Sequence, residues 1–79
     1  MRFDVALFEL RLARSRSQAA AAIQAGEARL NGNASKPSHE VRPGDRITLG
    51  ARTVEVLALP ARSVSREAAK ELVRDLPPS

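Results

Sequence analysis

The stretch ARSRSQAAAAIQAG, residues 13–26, decides the fold prediction because it contains both the start and the end of one helix. Ser15 and Gln18 form an S-x-x-Q capping box, in which each side chain accepts a hydrogen bond from an otherwise unpaired backbone N–H. Gly26 supplies the left-handed residue at which helices commonly end. The pattern therefore predicts a helix from about Arg16 to Ala25.

The start of this helix carries Arg14 and Arg16, although the positive end of a helix dipole normally favours acids. Two readings account for the arginines. In the first, they hold a phosphate together with the free backbone N–H groups of the first turn. In the second, they are solvated surface residues that cost about a few tenths of a kcal/mol. The local sequence leaves both readings open.

A preceding helix is predicted over residues 4–10, because Phe3, Leu7 and Leu10 recur at helical spacing. Asp4 suits its first turn or its cap.

Beyond the second helix, short strands are predicted between tight turns. Asn31-Gly32 predicts a two-residue type I′ turn and a short hairpin, and Pro43-Gly44 predicts a type II turn. Gly50-Ala51 predicts a type II′ hairpin that joins the strands RITL and RTVEVLAL and sets Ile47 opposite Val54. The expected sheet is small and mostly antiparallel, so the predicted fold class is α+β.

After Pro60, a third helix is predicted, with Ser65 as its cap. Its apolar side is expected to consist of Ala69, Leu72, Val73 and Leu76. The predicted organisation is thus a domain over residues 1–60 and a C-terminal extension, residues 61–79, with one amphipathic helix.

Composition limits the function classes. A chain of 79 residues forms one small domain, and without cysteine it has neither disulfides nor a thiolate metal site. His39 is the only histidine and is expected on a surface loop. No catalytic pattern is present, so neither an enzyme activity nor a small-molecule substrate, a cofactor or a metal is predicted. No signal peptide or membrane-length apolar run is recognisable, which predicts a cytoplasmic protein without a membrane partner.

The charge balance favours an acidic partner. Thirteen Lys and Arg stand against nine Asp and Glu, for a net charge of +4 and a pI of about 11.1. A GC-rich genome would also produce an excess of arginine. Composition alone therefore does not show whether the positive charge serves an acidic partner or only reflects the genome. Trp and Tyr are absent and Phe occurs twice, which argues against stacking on single-stranded bases and favours folded RNA if RNA is the partner.

Further cations and polar groups are candidates beside the helix start. Lys36 precedes Pro37, which forces it into an extended conformation and projects its side chain from a rigid loop. Arg11 could reach the helix start or interact with the end of helix one. Arg29 is predicted to face away from the apolar side of its strand.

Six short motifs follow one another in this chain in a characteristic order, within residues 1–59. Its matching positions are Arg2, Asp4 and Leu7, then Ser15, Arg16 and Ser17, then Ala19, Ile23 and Gly26, then Asn31 and Gly32, then Lys36, Pro37 and Ser38, and finally Gly44, Asp45 and Ile47. This series resembles the RNA-binding domain named after ribosomal protein S-four, with its alpha-L motif. The chain looks most like the small stand-alone heat shock protein fifteen branch of that family, whose members bind ribosomal RNA on stalled large subunits.

The resemblance implies two packed helices on a small sheet, with the start of helix two and the Lys-Pro-Ser loop bordering one RNA-binding surface. The residues it implies for RNA binding are Arg14, Ser15, Arg16, Ser17, Gln18, Lys36 and Ser38, with Arg11 and Arg29 as outlying candidates. Asp4, Gly26, Asn31, Gly32 and Gly44 are expected to hold the fold instead.

Two functions are compatible with these features. The first is non-enzymatic binding of structured RNA, either ribosomal RNA or a ribosome–tRNA complex, with the large ribosomal subunit as the expected partner. The second is a protein-interaction adaptor that docks through the C-terminal helix. A buried apolar side on that helix would favour RNA binding, and a bare one would favour docking.

Overall fold

A computed structural model describes residues 1–77 of the chain. Its elements, in chain order, are α1 (Phe3–Glu9), α2 (Arg16–Gln24), β1 (Ala28–Leu30), β2 (Arg46–Leu49), β3 (Arg52–Val56), α3 (Arg66–Lys70) and β4 (Val73–Leu76). The predicted α+β class is confirmed. None of the helices in this part of the chain is long and apolar enough to cross a membrane.

The four strands form one antiparallel sheet in the order β1-β2-β3-β4. Ile47 lies opposite Val54, as the hairpin between β2 and β3 predicts. Gly50 has a φ of 62°, which the first central position of a type II′ turn requires. The register places apolar residues of all four strands on the face that packs against the two longer helices: Ala28, Leu30, Ile47, Leu49, Val54, Val56 and Val73. Leu76 pairs with Thr53 on the other face.

The core lies between that face and the pair α1 and α2. The largest fully buried side chains are Phe3 and Leu7 from α1, Ile23 from α2, Val41 from the connecting loop, and Ile47, Val54 and Val56 from the sheet. Ala19 is also fully buried, so the alanine-rich face of α2 lies close against its neighbours. The helical spacing predicted for α1 is confirmed, because Phe3, Leu7 and Leu10 are all buried.

Both longer helices end in a Schellman motif. At the end of α2, Glu27 N–H donates to Ala22 O over 2.9 Å, and Gly26 has a φ of 79°, as predicted for the stop. At the end of α1, Leu12 N–H donates to Leu7 O over 2.9 Å, but the left-handed residue is Arg11, with a φ of 60°. A non-glycine residue in this conformation costs about 1–2 kcal/mol. The sequence did not predict this conformation for Arg11.

The Asn31-Gly32 turn has the conformation predicted for it, with φ values of 53° and 81°. Leu30 and Asn33 exchange backbone hydrogen bonds across it, although the pairing goes no further and β1 pairs with β2 instead. The Asn31 side chain donates to Asp45 Oδ1 and accepts from Arg46 N–H, over 3.2 and 2.9 Å. The turn therefore fixes where β2 begins, which is a structural role.

The loop of Lys36-Pro37-Ser38 closes onto the start of α1. Phe3 N–H donates to His39 O over 2.8 Å, and Asp4 N–H donates to Pro37 O over 3.1 Å. These carbonyls satisfy N–H groups that the first turn of a helix leaves unpaired. Asp4 accordingly lies in the first turn, and Arg2 is the capping residue.

The prediction for the C-terminal extension was partly wrong. Ser65 caps α3 as expected, since its Oγ accepts from Ala68 N–H over 3.1 Å, but the helix ends at Lys70. Residues 73–76, predicted as the end of this helix, form strand β4. The extension thus contributes a strand to the same sheet as the preceding residues, and a domain boundary at residue 60 stays a prediction.

The strand forms because β3 offers a row of backbone groups that need partners, which local helical spacing does not reveal. Val73 is buried opposite Val56. Two ion pairs also join β3 to β4: Arg74 to Glu55 at 2.6 Å and Arg52 to Asp75 at 2.7 Å. The bond from Arg52 lowers the pKa of Asp75 below its ordinary value, because it stabilises the ionised carboxylate.

Candidate nucleic-acid interface

Side chains hold the start of α2 in place. Ser15 Oγ accepts a hydrogen bond from Gln18 N–H over 3.0 Å, as the capping box predicts. Gln18 Oε1 accepts from Arg14 N–H over 2.7 Å, one residue before the N–H that the capping box would use. Gln18 therefore has a structural contact through its carbonyl oxygen, while its NH₂ group has no acceptor within residues 1–77 and can donate to a ligand.

The first turn of α2 also has free donors. Within residues 1–77, the backbone N–H groups of Arg16 and Ser17 have no protein acceptor, and both residues are exposed. Arg14 is exposed as well. In this part of the chain, neither Arg14 nor Arg16 has a carboxylate within ion-pair distance. Free N–H groups and guanidinium forks together suit a phosphate.

We expect Ser15→Ala to lower the free energy of unfolding by about 0.5–2 kcal/mol, because the Gln18 N–H loses its acceptor. Urea unfolding measures this loss. The matched control is Ser17→Ala, two residues later: the Ser17 side chain makes no hydrogen bond within residues 1–77, so its loss should stay within about 0.5 kcal/mol. Equal losses for the two variants would contradict the capping role.

Arg11 is not free to move along this surface. Its Nη2 and Nε donate to the carbonyl oxygen of Val64, over 2.7 and 3.3 Å, so it ties the link between α1 and α2 to the C-terminal extension. A carbonyl acceptor leaves the guanidinium charge in place. Arg11 and Arg14 line an open cleft of about 670 Å³, together with Leu12, Ala13, Gln18 and Arg66. Sequence reasoning did not select Arg66, which lies more than fifty residues along the chain from Arg14.

The other predicted residues lie at the opposite end of α2. Lys36 is exposed and lines a shallow depression with Ile23, Gln24 and Gly26. Arg29 Nε lies 3.4 Å from Gly26 O, and its side chain stands on the sheet face away from the helices. Ser38 is exposed in the loop beside Lys36.

The predicted site therefore consists of two groups, separated by the length of α2, which is about 13 Å for nine residues. The helix-start group is Arg11, Arg14, Ser15, Arg16, Ser17 and Gln18, and the loop group is Arg29, Lys36 and Ser38.

Positive charge in both groups is not neutralised by the protein itself. In residues 1–77, the lysine and arginine side chains with a carboxylate within 4.0 Å are Arg2, Arg52, Lys70 and Arg74. None of these four belongs to either group. The helix-start and loop groups thus carry the charge that an anionic partner would find.

Two of three comparisons with known proteins give matches. The sequence profile of the S4 domain matches residues 1–47, which is more than half of the chain. The solved structure of Vibrio cholerae Heat Shock Protein 15, described as trimeric, is similar with a TM-score of 0.89 and 29% sequence identity, over 96% of this chain and 81% of that chain. A comparison with curated proteins gives no match. On its sequence and its fold, the chain belongs to the S4 domain family.

Proposed function

We propose that this protein binds structured RNA, either ribosomal RNA or a ribosome–tRNA complex, and catalyses no reaction. The observation that carries the proposal is the helix-start group on an S4 domain. In the described residues 1–77, its exposed arginines have no carboxylate partner and lie beside free backbone N–H groups. Phosphates would bind at the start of α2, and the loop group would contact the RNA backbone farther along.

Folded RNA fits this surface better than a flexible single strand. Both phenylalanines lie in α1, where Phe3 is fully buried and Phe8 is half-buried. Base stacking on aromatic side chains, the usual basis of single-strand binding, has little to use here. Recognition through phosphates and the shape of a folded RNA requires only the cations and donors described above.

The burial of the extension favours this function over the adaptor. Val73 is 9% exposed, and Leu72 and Leu76 are half-buried. Ala69 is also buried, and Leu72 packs against the core, whereas Leu76 lies on the other face of the sheet from Val73. The residues that an adaptor helix would present to a partner therefore do not form one exposed apolar side. This supports RNA binding as the main function.

The first experiment is a fluorescence titration with a structured ribosomal RNA hairpin, duplex DNA and poly-U, each at several salt concentrations. If about five cations contact phosphates, the log-log slope of affinity against salt should be about −3.5 to −4.5. Affinity for the hairpin would then fall about a hundredfold or more between about 50 and 200 mM salt. Weak, equal binding to all three nucleic acids, or salt-independent binding, would contradict the proposal.

The proposed location is the cytoplasm. The proposed partner is the large ribosomal subunit, which follows from the resemblance of the sequence motifs to the heat shock protein fifteen branch. Cosedimentation of the purified protein with large subunits tests the partner. Retention with large but not small subunits is the expected result. Equal retention with both would indicate that the charge acts without selectivity.

A further inference from the structure

A cleft between the α1–α2 link and the start of α3 gathers positive charge from two distant parts of the chain. Arg11 and Arg14 come from the link, and Arg66 comes from the C-terminal extension. The remaining lining residues are Leu12, Ala13 and Gln18, so no lining residue is acidic. The cleft is open and polar enough to admit a solvated anionic group.

Arg11 sets the geometry of this cleft. Its left-handed backbone turns the chain at the end of α1, and its guanidinium holds the carbonyl oxygen of Val64 over 2.7 and 3.3 Å. Val64 immediately precedes Ser65, the cap of α3. The bond therefore fixes the place where α3 begins, and Arg66 lines the cleft at the first position of that helix.

Neighbouring cations are neutralised, whereas those of the cleft are not. A smaller adjoining cleft of about 250 Å³ is lined by Arg11, Arg66, Arg52 and Lys70 among others. Arg52 pairs with Asp75 at 2.7 Å, and Lys70 pairs with Glu67 at 3.8 Å.

By contrast, Arg11, Arg14 and Arg66 have no carboxylate within 4.0 Å in residues 1–77. Like charges that line one cleft repel each other, and an anion between them relieves this repulsion. Arg11 and Arg66 line both clefts, whereas Arg14 lines only the larger one. Within the described residues, the larger cleft therefore has three unpaired arginines and no paired cation in its lining, which favours it as the place for an anionic group.

We propose that this cleft is a phosphate subsite for a backbone phosphodiester of the bound RNA, which Arg14 and Arg66 contact together. The proposal rests on the proposed RNA binding and extends it to the C-terminal extension, outside the region that the S4 domain profile matches. Arg11 is a positioning residue in this site, because it holds the segment that carries Arg66.

The test compares Arg66→Ala with Arg62→Ala in titrations of the ribosomal RNA hairpin. Arg62 is the matched control, since it is an exposed arginine of the same extension that does not line the cleft. Arg66→Ala should weaken binding about five- to tenfold at about 50 mM salt and reduce the magnitude of the salt slope by about 0.7–0.9. The affinity of Arg62→Ala should stay within about twofold of that of the parent. Both variants should have nearly the same melting temperature as the parent, because exposed side chains contribute little to stability.

A double-mutant cycle tests whether the two arginines share one phosphate. The loss for Arg14→Ala/Arg66→Ala should be smaller than the product of the two single losses, whereas Arg14→Ala/Arg62→Ala should be multiplicative. Arg66→Lys should recover part of the affinity, because it keeps the charge without the bidentate fork.

Three results would overturn the subsite. If the parent binds RNA with the expected salt slope but Arg66→Ala behaves like Arg62→Ala, the proposed function stands and the subsite is wrong. Multiplicative losses for Arg14 and Arg66 would assign them to different phosphates. A parent without salt-dependent binding would overturn the proposed function and the subsite together.

Discussion

Replacing both Arg14 and Arg16 by glutamate should lower the affinity for the ribosomal RNA hairpin by about a hundredfold or more at about 50 mM salt. Two phosphate contacts disappear, so the magnitude of the salt slope should fall by about 1.4–1.8, and two new negative charges repel the RNA. Stability should change in the opposite direction. An acid near the first turn of a helix stabilises it by about 0.3–1 kcal/mol, so the variant should melt at the same temperature as the parent or slightly above it.

The control for this variant is Arg42→Glu/Arg62→Glu, which changes the net charge by the same amount. Both residues are exposed, neither has a carboxylate within 4.0 Å in residues 1–77, and neither belongs to the helix-start or loop group. Its affinity should fall far less, through the general electrostatic field alone. If the two double variants lose affinity equally, net charge and not the start of α2 determines binding.

Replacing Phe3 by alanine should remove a large part of the stability of this protein. Phe3 is 0% exposed and belongs to the core that α1 shares with the sheet. Removing a buried aromatic ring costs about 3–5 kcal/mol, because the transfer free energy is lost and a cavity is left. At typical stability per residue, a domain of this size has only roughly 4–12 kcal/mol in total. Urea unfolding measures the loss.

Leu57→Ala is the matched control for the core variant. Leu57 is a large apolar residue of similar chemistry, but it is 48% exposed. Its replacement should cost much less than the replacement of Phe3, within about 0.5 kcal/mol if it behaves as an ordinary surface position. Comparable losses for the two variants would mean that the two side chains contribute alike to the core.

Stability and binding are separable in this protein because the two sets of residues differ in burial. The arginines of the helix-start group are exposed, whereas the core between the helices and the sheet is apolar and closed. Ser15 is the exception, because its hydroxyl caps the helix whose start would hold the phosphate. Its replacement should therefore affect both the melting temperature and the geometry of the proposed site.

The sequence by itself determined the features that neighbouring residues control. The start and stop of α2 depend on Ser15, Gln18 and Gly26, all within or beside one helix. The Asn31-Gly32 turn and the hairpin that pairs Ile47 with Val54 depend on a few adjacent backbone conformations. Such features can be predicted because their energies arise within about a dozen residues.

Only the tertiary structure decided the features that depend on distant partners. Residues 73–76 have helical spacing, yet they form β4 because the edge of β3 needs hydrogen-bond partners and Val56 needs cover. Arg66 joins Arg14 in one cleft because Arg11 holds Val64 across a separation of 53 residues. Lys36 lies at the far end of α2 from the helix-start group because its loop closes on α1. In each case the stabilising contact joins segments far apart in the chain, and no local pattern encodes it.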